Sequence, residues 1–243
     1  NLKEGQRVGL YFKGNGPLVS VFAEASYEGQ VRGYCPCGDY QAPQSEDILN
    51  LGKALGNGTL SVARHQPYQR QPYHGTVAMV SGEIGDDIAY YLNQSQQIRS
   101  VVSLGVYLDH FGKAQAAGGI LIEVMPGVEE EVVKKLEANT KIAKKNVSQK
   151  IFDGASLQDI ISPYMTGIPY TQIEHNFATQ YFCPCTADRV SGALSILGEA
   201  ELQDMINENK ETEIVCQICG RTYQVSVDDL HKIKESIRKS ALH

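Results

Sequence analysis

No stretch of this 243-residue chain is apolar for long enough to form a membrane-spanning helix, which requires about 18 consecutive apolar residues. No helical membrane span is therefore expected within these residues. Surplus basic charge is also missing. Twenty-two Lys+Arg against 28 Asp+Glu leave a net charge of -6, which argues against a broad nucleic-acid footprint, because phosphate binding normally shows as excess positive charge. There is no phosphate-cradling glycine loop followed by lysine, and no Ser/His/Asp arrangement can be assigned. GNGPLV and SGEIGDD read instead as turn and cap signals. An initiating Met is absent as well: the chain opens at Asn1, so residues upstream of it are expected and targeting cannot be judged from this end.

What is present suits a soluble globular protein. Apolar residues make up 42% and charged residues 21%, and the length exceeds a usual single domain of about 100–200 residues, so one large or two unequal domains are expected. Asn57, Asn93 and Asn146 begin Asn-x-Ser/Thr triplets, which arise by chance at this frequency. All six cysteines fall in three close pairs, Cys35/Cys37, Cys183/Cys185 and Cys216/Cys219. In a chain this long such pairs suit metal ligands or redox thiols better than a secreted disulfide framework, which serves domains too small to build a core. A reducing compartment, the cytoplasm, is therefore expected.

From Arg7 to about Val124 the sequence reads as short β-branched and aromatic strands (RVGLYFK, PLVSVFAEA, QVRGYC, TLSVAR, GTVAMVS, VVSLGVYLD, GGILIEVM), with Gly14-Asn15-Gly16 and Gly56-Asn57-Gly58 as turns. One helix interrupts them, with Ile84, Ile88, Tyr91 and Leu92 at helical spacing. The expected class is α+β, with a large sheet in the N-terminal domain (1–127). Glu83, Asp86 and Asp87 could bind a cation, but carboxylates at the positive end of a solvated helix account for them more simply. After Pro126-Gly127 the character changes. Val128, Val132, Val133 and Leu136 form a narrow apolar stripe, and Ser156-x-x-Asp159 signals a second helix carrying Leu157, Ile160 and Ile161. Residues 128–176 thus read as a helical connector with little core of its own, the kind of segment that unfolds locally at low cost. It reads equally as a fixed brace. Residues 177–243 read as a small unit: a helix capped by Thr186, a second carrying Leu202, Met205 and Ile206, a hairpin around Cys219-Gly220, and a last helix lined by Leu230, Ile233 and Ile237. So small a core is expected to need a staple.

The cysteines can supply one. Cys216-Gln217-Ile218-Cys219-Gly220 has the form of a zinc knuckle, in which two intervening residues let both sulfurs face one cation and glycine permits the tight turn behind them. Cys183-Pro184-Cys185 lies upstream of it, and four thiolates from two separated pairs complete a closed, structural-type tetrahedral zinc site. Residues two apart in a strand point to opposite faces, so Cys-Pro-Cys must turn for both sulfurs to reach one metal, and proline helps to hold that turn. His175 and His231 are the histidines near enough in sequence to compete, but four cysteines already fill the coordination sphere. A permanent staple is the simplest reading. A switch is the other, because zinc contributes about 10–16 kcal/mol to small zinc peptides, whereas a whole domain is stable by only about 5–15 kcal/mol. A disulfide within Cys-x-Cys would close a small, strained ring of the labile, regulatory kind. Spacing alone does not decide between these readings.

Taken together, CPC, the later CQICG, LSILGEAELQDMI between them, and the upstream blocks GNGPLVSVFAEASYEGQVRGY, GNGTLSVAR, VSGEIGDDIAYYL and AAGGILIEVMPG resemble the redox-regulated 33-kDa heat-shock chaperone family. The resemblance runs from about Arg7 to Leu230. It implies an ATP-independent holdase and not an enzyme. Reduced members hold one Zn2+ on the four cysteines and are largely inactive; oxidants form one disulfide within each pair, zinc leaves, the connector unfolds, and the protein dimerises and binds unfolding clients. Carried over, Cys183, Cys185, Cys216 and Cys219 would be the zinc ligands, and Cys183–Cys185 and Cys216–Cys219 the disulfides. Residues 128–176 would be the redox-sensitive linker, and the sheet domain would bind clients and form the homodimer. The family's domain begins several dozen residues earlier, so its first strand and following helix are expected to lie upstream.

Cys35-Pro36-Cys37 departs from that pattern and has no CxxC partner. Strand cysteines filling a core account for it best; a local redox pair or a second, weaker metal contact are the alternatives. A constitutive zinc-ribbon adaptor for protein or RNA is the competing function, predicting activity when reduced and loss on oxidation. A thiol-disulfide oxidoreductase would place its Cys-x-x-Cys at a helix start, whereas TEIVCQICGRTYQV is strand-like on both sides.

Overall fold

The computed structural model describes residues 2–41, 50–69, 71–143, 147–173 and 178–240. The expectations placed on Asn146 and His175 lie outside the described residues. Alternating apolar positions build the main sheet from β1 (Arg7–Gly14), β2 (Ser20–Ser26), β3 (Gln30–Tyr34), β4 (Gly58–His65) and β5 (Tyr73–Ala78), in the order β5-β4-β1-β2-β3 with antiparallel neighbours. Phe12, Leu60 and Val62 point to one face and close on Leu18, Tyr91 and the buried end of a short helix, α1 (Leu51–Leu55). The two Gly-Asn-Gly turns meet: the Asn57 amide donates to Asn15 Oδ1 at 2.9 Å, and the Asn15 amide to the Asn57 carbonyl at 3.0 Å.

The helix expected from Ile84, Ile88, Tyr91 and Leu92 is α2 (Ile84–Gln96), and all four side chains pack on that core. Its acidic start differs from a solvated one. Asp87 is fully buried, and its carboxylate accepts from the amides of Val80 (2.7 Å), Ser81 (3.1 Å) and Gly82 (2.9 Å). Both oxygens are therefore committed to the loop ahead of the helix, because a buried carboxylate must be matched by donors.

Strands β6 (Ser100–Leu108) and β7 (Ala114–Glu123) pair with each other as a separate two-stranded ribbon and do not extend the main sheet. The connector lies on this ribbon as α3 (Glu130–Ala143), α4 (Val147–Phe152) and α5 (Leu157–Ile161). It shares the ribbon's core: Ile120 packs with Ala143, Val147, Ile160 and Tyr164. The dock of α4 is close. A Cβ at Gly105 would sit 2.8 Å from Ser148, one at Gly118 would sit 2.5 Å from Ile151, and Phe152 stacks on Tyr107 with ring centroids 4.1 Å apart. The expected cap on α5 is present as a reciprocal box, Ser156 accepting from the Asp159 amide while Asp159 accepts from Ser156.

Past the connector, β8 (Gln180–Tyr181) joins the edge of the main sheet, parallel to β3. The remaining elements are α6 (Ala187–Ser195), α7 (Glu199–Asn207), β9 (Thr212–Val215), β10 (Thr222–Val225) and α8 (Val227–Ser240). Their core is small: Leu194, Leu202, Ile206, Val225, Leu230 and Ile233 are buried, flanked by Val190, Met205, Ile214, Val227 and Ile237. No described helix is long and apolar enough to cross a membrane.

Candidate metal centre

The hairpin of β9 and β10 makes a knuckle. Cys216 leaves β9 donating its amide to the Arg221 carbonyl at 2.9 Å, and the Gly220 amide returns to the Cys216 carbonyl at 2.8 Å. Gly220 has φ +70°, a conformation that costs glycine little, so the chain reverses with the sulfurs of Cys216 and Cys219 on one side. On the other strand, Cys183-Pro184-Cys185 turns out of β8 into α6, whose first turn Thr186 caps by accepting from the Arg189 amide at 3.3 Å. The turn demanded of Cys-Pro-Cys is thus made.

The four sulfurs converge, all lying within 4.8 Å of one another. Cys183 Sγ is 3.8 Å from Cys216 Sγ, and Cys185 Sγ is 3.3 Å from Cys219 Sγ. Sulfurs about 2.3 Å from a tetrahedral Zn2+ stand about 3.8 Å apart, so the donor set fits one such ion. None of the six cysteines is in a disulfide.

The surroundings favour thiolate at two of these positions, Cys185 and Cys216. The Tyr223 hydroxyl is buried; it faces Cys185 and, followed by Cys219, pulls that thiol down to about 6. The backbone amide of Cys219 lowers Cys216. Cys219 goes the other way. The Arg221 amide favours its thiolate, but its interaction with Cys185, burial and its interactions with Cys216 and Cys183 outweigh that and push it up to about 12. Four thiols this close cannot all ionise unless a cation shares their charge.

Beside the sulfurs is a cleft of about 430 Å³ whose lining includes Arg32, Arg189, Val190 and Leu197. Arg32 comes from β3 of the main sheet. Its fork grips Glu24, Nε to Oε1 at 3.1 Å and the second nitrogen to Oε2 at 3.0 Å, and it shares the cleft lining with Cys183. Burial opposes its charge, yet Glu24 and then Cys183 hold it above the ordinary guanidinium range. Spacing gave no sign of Arg32 as a partner of the centre; only the β3–β8 pairing brings it there.

The remaining candidates lie elsewhere. Among the described residues, His231 is not in the sulfur cluster. Cys35 and Cys37 are also outside it and not in a strand: β3 ends at Tyr34, and the chain turns at once, with the Tyr40 amide donating to the Cys37 carbonyl at 3.1 Å. Cys35 packs against the main core and points its sulfur at the Leu18 carbonyl, 3.8 Å away.

A family model described as Hsp33 protein matches residues 1–226. A 33 kDa chaperonin of Synechococcus elongatus is 38% identical over 243 residues, covering 98% of this chain and 80% of the relative. One from Thermodesulfovibrio yellowstonii is 37% identical over 229 residues, covering 94% of this chain and 78% of the relative. The crystal structure of the 33 kDa chaperonin (heat shock protein 33 homolog) of Thermotoga maritima superposes with a TM-score of 0.85 at 32% identity, over 98% of this chain and 80% of that one.

Proposed function

The chain belongs to the Hsp33 family, and from that premise we propose that it is a redox-regulated, ATP-independent chaperone, a binding protein and not an enzyme, that holds unfolding proteins and prevents their aggregation. The observation that carries the reading is the convergence of the Cys183, Cys185, Cys216 and Cys219 sulfurs within 4.8 Å. One bound Zn2+ would supply a closed structural staple there. Oxidation of the cysteines removes the donors: each Cys183–Cys185 and Cys216–Cys219 disulfide forms by transfer of two electrons to an oxidant such as peroxide, whose O–O bond breaks and whose oxygens leave as water. The unit of residues 177–243 then loses its staple. The linker, residues 128–176, runs directly into that unit and loosens with it. Residues 1–127 bind clients and, after oxidation, a second copy of the chain. The reducing environment of the cytoplasm would keep the resting state zinc-loaded.

The test is to measure zinc content, free thiols and suppression of client aggregation side by side, before and after peroxide at mildly raised temperature. Zinc loss, four thiols consumed and gain of protection should coincide. Protection by the reduced form equal to that of the oxidised one would instead indicate a constitutive zinc-ribbon adaptor.

A further inference from the structure

Strand β8 is an odd member of the main sheet. The other strands of that sheet all end by Ala78, run antiparallel to their neighbours and span five to eight residues; β8 is two residues long, parallel, and arrives from the segment that enters the metal centre. It holds on by backbone alone. The Gln180 amide donates to the Gly29 carbonyl and the Phe182 amide to the Val31 carbonyl, both at 3.0 Å. Because alternate residues of a strand face the same edge, Gly29, Val31 and Gly33 present the outward polar groups of β3, and β8 covers only the first part of that row.

The occupant is tied to the centre from three directions. Cys183 follows Phe182 directly. The Tyr181 hydroxyl donates to the Ile218 carbonyl, inside the knuckle, at 2.9 Å. Arg32 of β3, fixed by Glu24, lines the same cleft as Cys183. An unpaired edge is a template for another extended chain, and pairing through backbone groups is indifferent to sequence, which suits partners that share only the lack of a fold. The tilted Phe22–Tyr34 ring pair, 6.0 Å between centroids, offers apolar contact beside the edge. Among the described residues, the opposite edge, β5, has no tether to the centre.

We propose that the β3 edge, residues 29–33, is a docking edge for an extended segment of an unfolded polypeptide, and that Gln180–Phe182 is its internal occupant, withdrawn when the cysteine centre comes apart. The proposal rests on the redox-chaperone reading and adds where the client pairs and what blocks it at rest.

Hydrogen exchange on the full chain tests it, with a reduced, carboxymethylated small protein as the permanently unfolded probe. After oxidation and zinc release, amides in residues 29–33 should exchange at least 10-fold faster than in the reduced protein, and slow again by a similar factor when the probe is added. V31P removes an outward amide and touches no cysteine; it should release zinc on the wild-type time course yet bind the probe at least 10-fold more weakly. The docking edge is refuted, with the chaperone reading intact, if the oxidised protein binds the probe while residues 29–33 are indifferent to it, or if V31P binds as wild type. Protection that appears without probe and rises with protein concentration would assign the edge to a second copy and also overturn the proposal. If the oxidised, zinc-free protein binds no probe at all, both readings fall.

Discussion

Removing the metal without oxidising the thiols separates the staple from the redox chemistry. The unit formed by α6, α7, β9, β10 and α8 buries six apolar side chains, Leu194, Leu202, Ile206, Val225, Leu230 and Ile233. At about 1.5–3 kcal/mol for each buried side chain, they contribute on the order of 9–18 kcal/mol before any ordering entropy is subtracted. A zinc ion on four thiolates contributes about 10–16 kcal/mol, as much as the whole core and more than the net stability of most domains, about 5–15 kcal/mol. The N-terminal sheet has its own core around Phe12, Leu55 and Leu60 and uses none of the four cysteines. A chelator under strong reductant should therefore unfold residues 187–238 and leave β1, β2 and β4 folded. Hydrogen exchange read by mass spectrometry gives the answer directly: peptides from α7 and α8 should approach unprotected rates while β1 and β4 retain theirs. If α7 and α8 keep their protection in the fully reduced, metal-free protein, the core suffices alone, and the argument that the metal holds this unit fails, whatever oxidation does.

The other predictions concern the parts that surround the switch. Gly105→Ala places a Cβ within 2.8 Å of Ser148 and should push α4 off the ribbon, seen as faster exchange across residues 147–152 and partial client protection while zinc is still bound. Asp87→Ala strands three loop amides at about 1–3 kcal/mol each, so urea unfolding of the N-terminal sheet should report a loss of roughly 3–9 kcal/mol; a loss below about 1 kcal/mol would mean the loop finds water instead. Cys185 is lowered to about 6, so well above that pH it is already ionised and zinc uptake should release fewer than four protons, the number rising as pH falls through 6 and affinity drops more steeply. Calorimetry in buffers of different ionisation enthalpy counts them, and four protons at pH 8 would contradict the lowered thiol. Finally, Cys35→Ala with Cys37→Ala should leave zinc content and its loss on oxidation unchanged, because neither sulfur is in the cluster.

The clustered cysteines were legible because their geometry is short-range: two residues between Cys216 and Cys219 and one between Cys183 and Cys185 nearly dictate where the sulfurs go. The amphipathic helices and most strands were legible for the same reason. What escaped depends on residues far apart. The helix α4 is only six residues long, and its close dock depends on Gly105 and Gly118, well upstream on the two strands of the ribbon, which leave notches for Ser148 and Ile151. A two-residue β8 has no propensity signal at all, and without it Arg32 is one more charged residue on a strand. Asp87 reads in the sequence as part of a solvated helix start, although Ser81-Gly82 ahead of it had amides to offer.

The two Cys-Pro-Cys stretches show how far a local motif reaches. Each follows directly, or one residue on, from a strand, and those strands, β3 and β8, lie side by side and parallel. The tripeptide is the same and the approach nearly so; what comes next separates them. Thr186 starts α6 and turns Cys183 and Cys185 toward the knuckle. Gly38-Asp39-Tyr40 instead closes a turn on Cys37, and Cys35 is left against the core with its sulfur on Leu18. A Cys-Pro-Cys segment therefore offers two donors to whatever lies opposite, and it is Cys216 and Cys219, on a hairpin beyond two intervening helices, that turn one of these offers into a candidate metal centre.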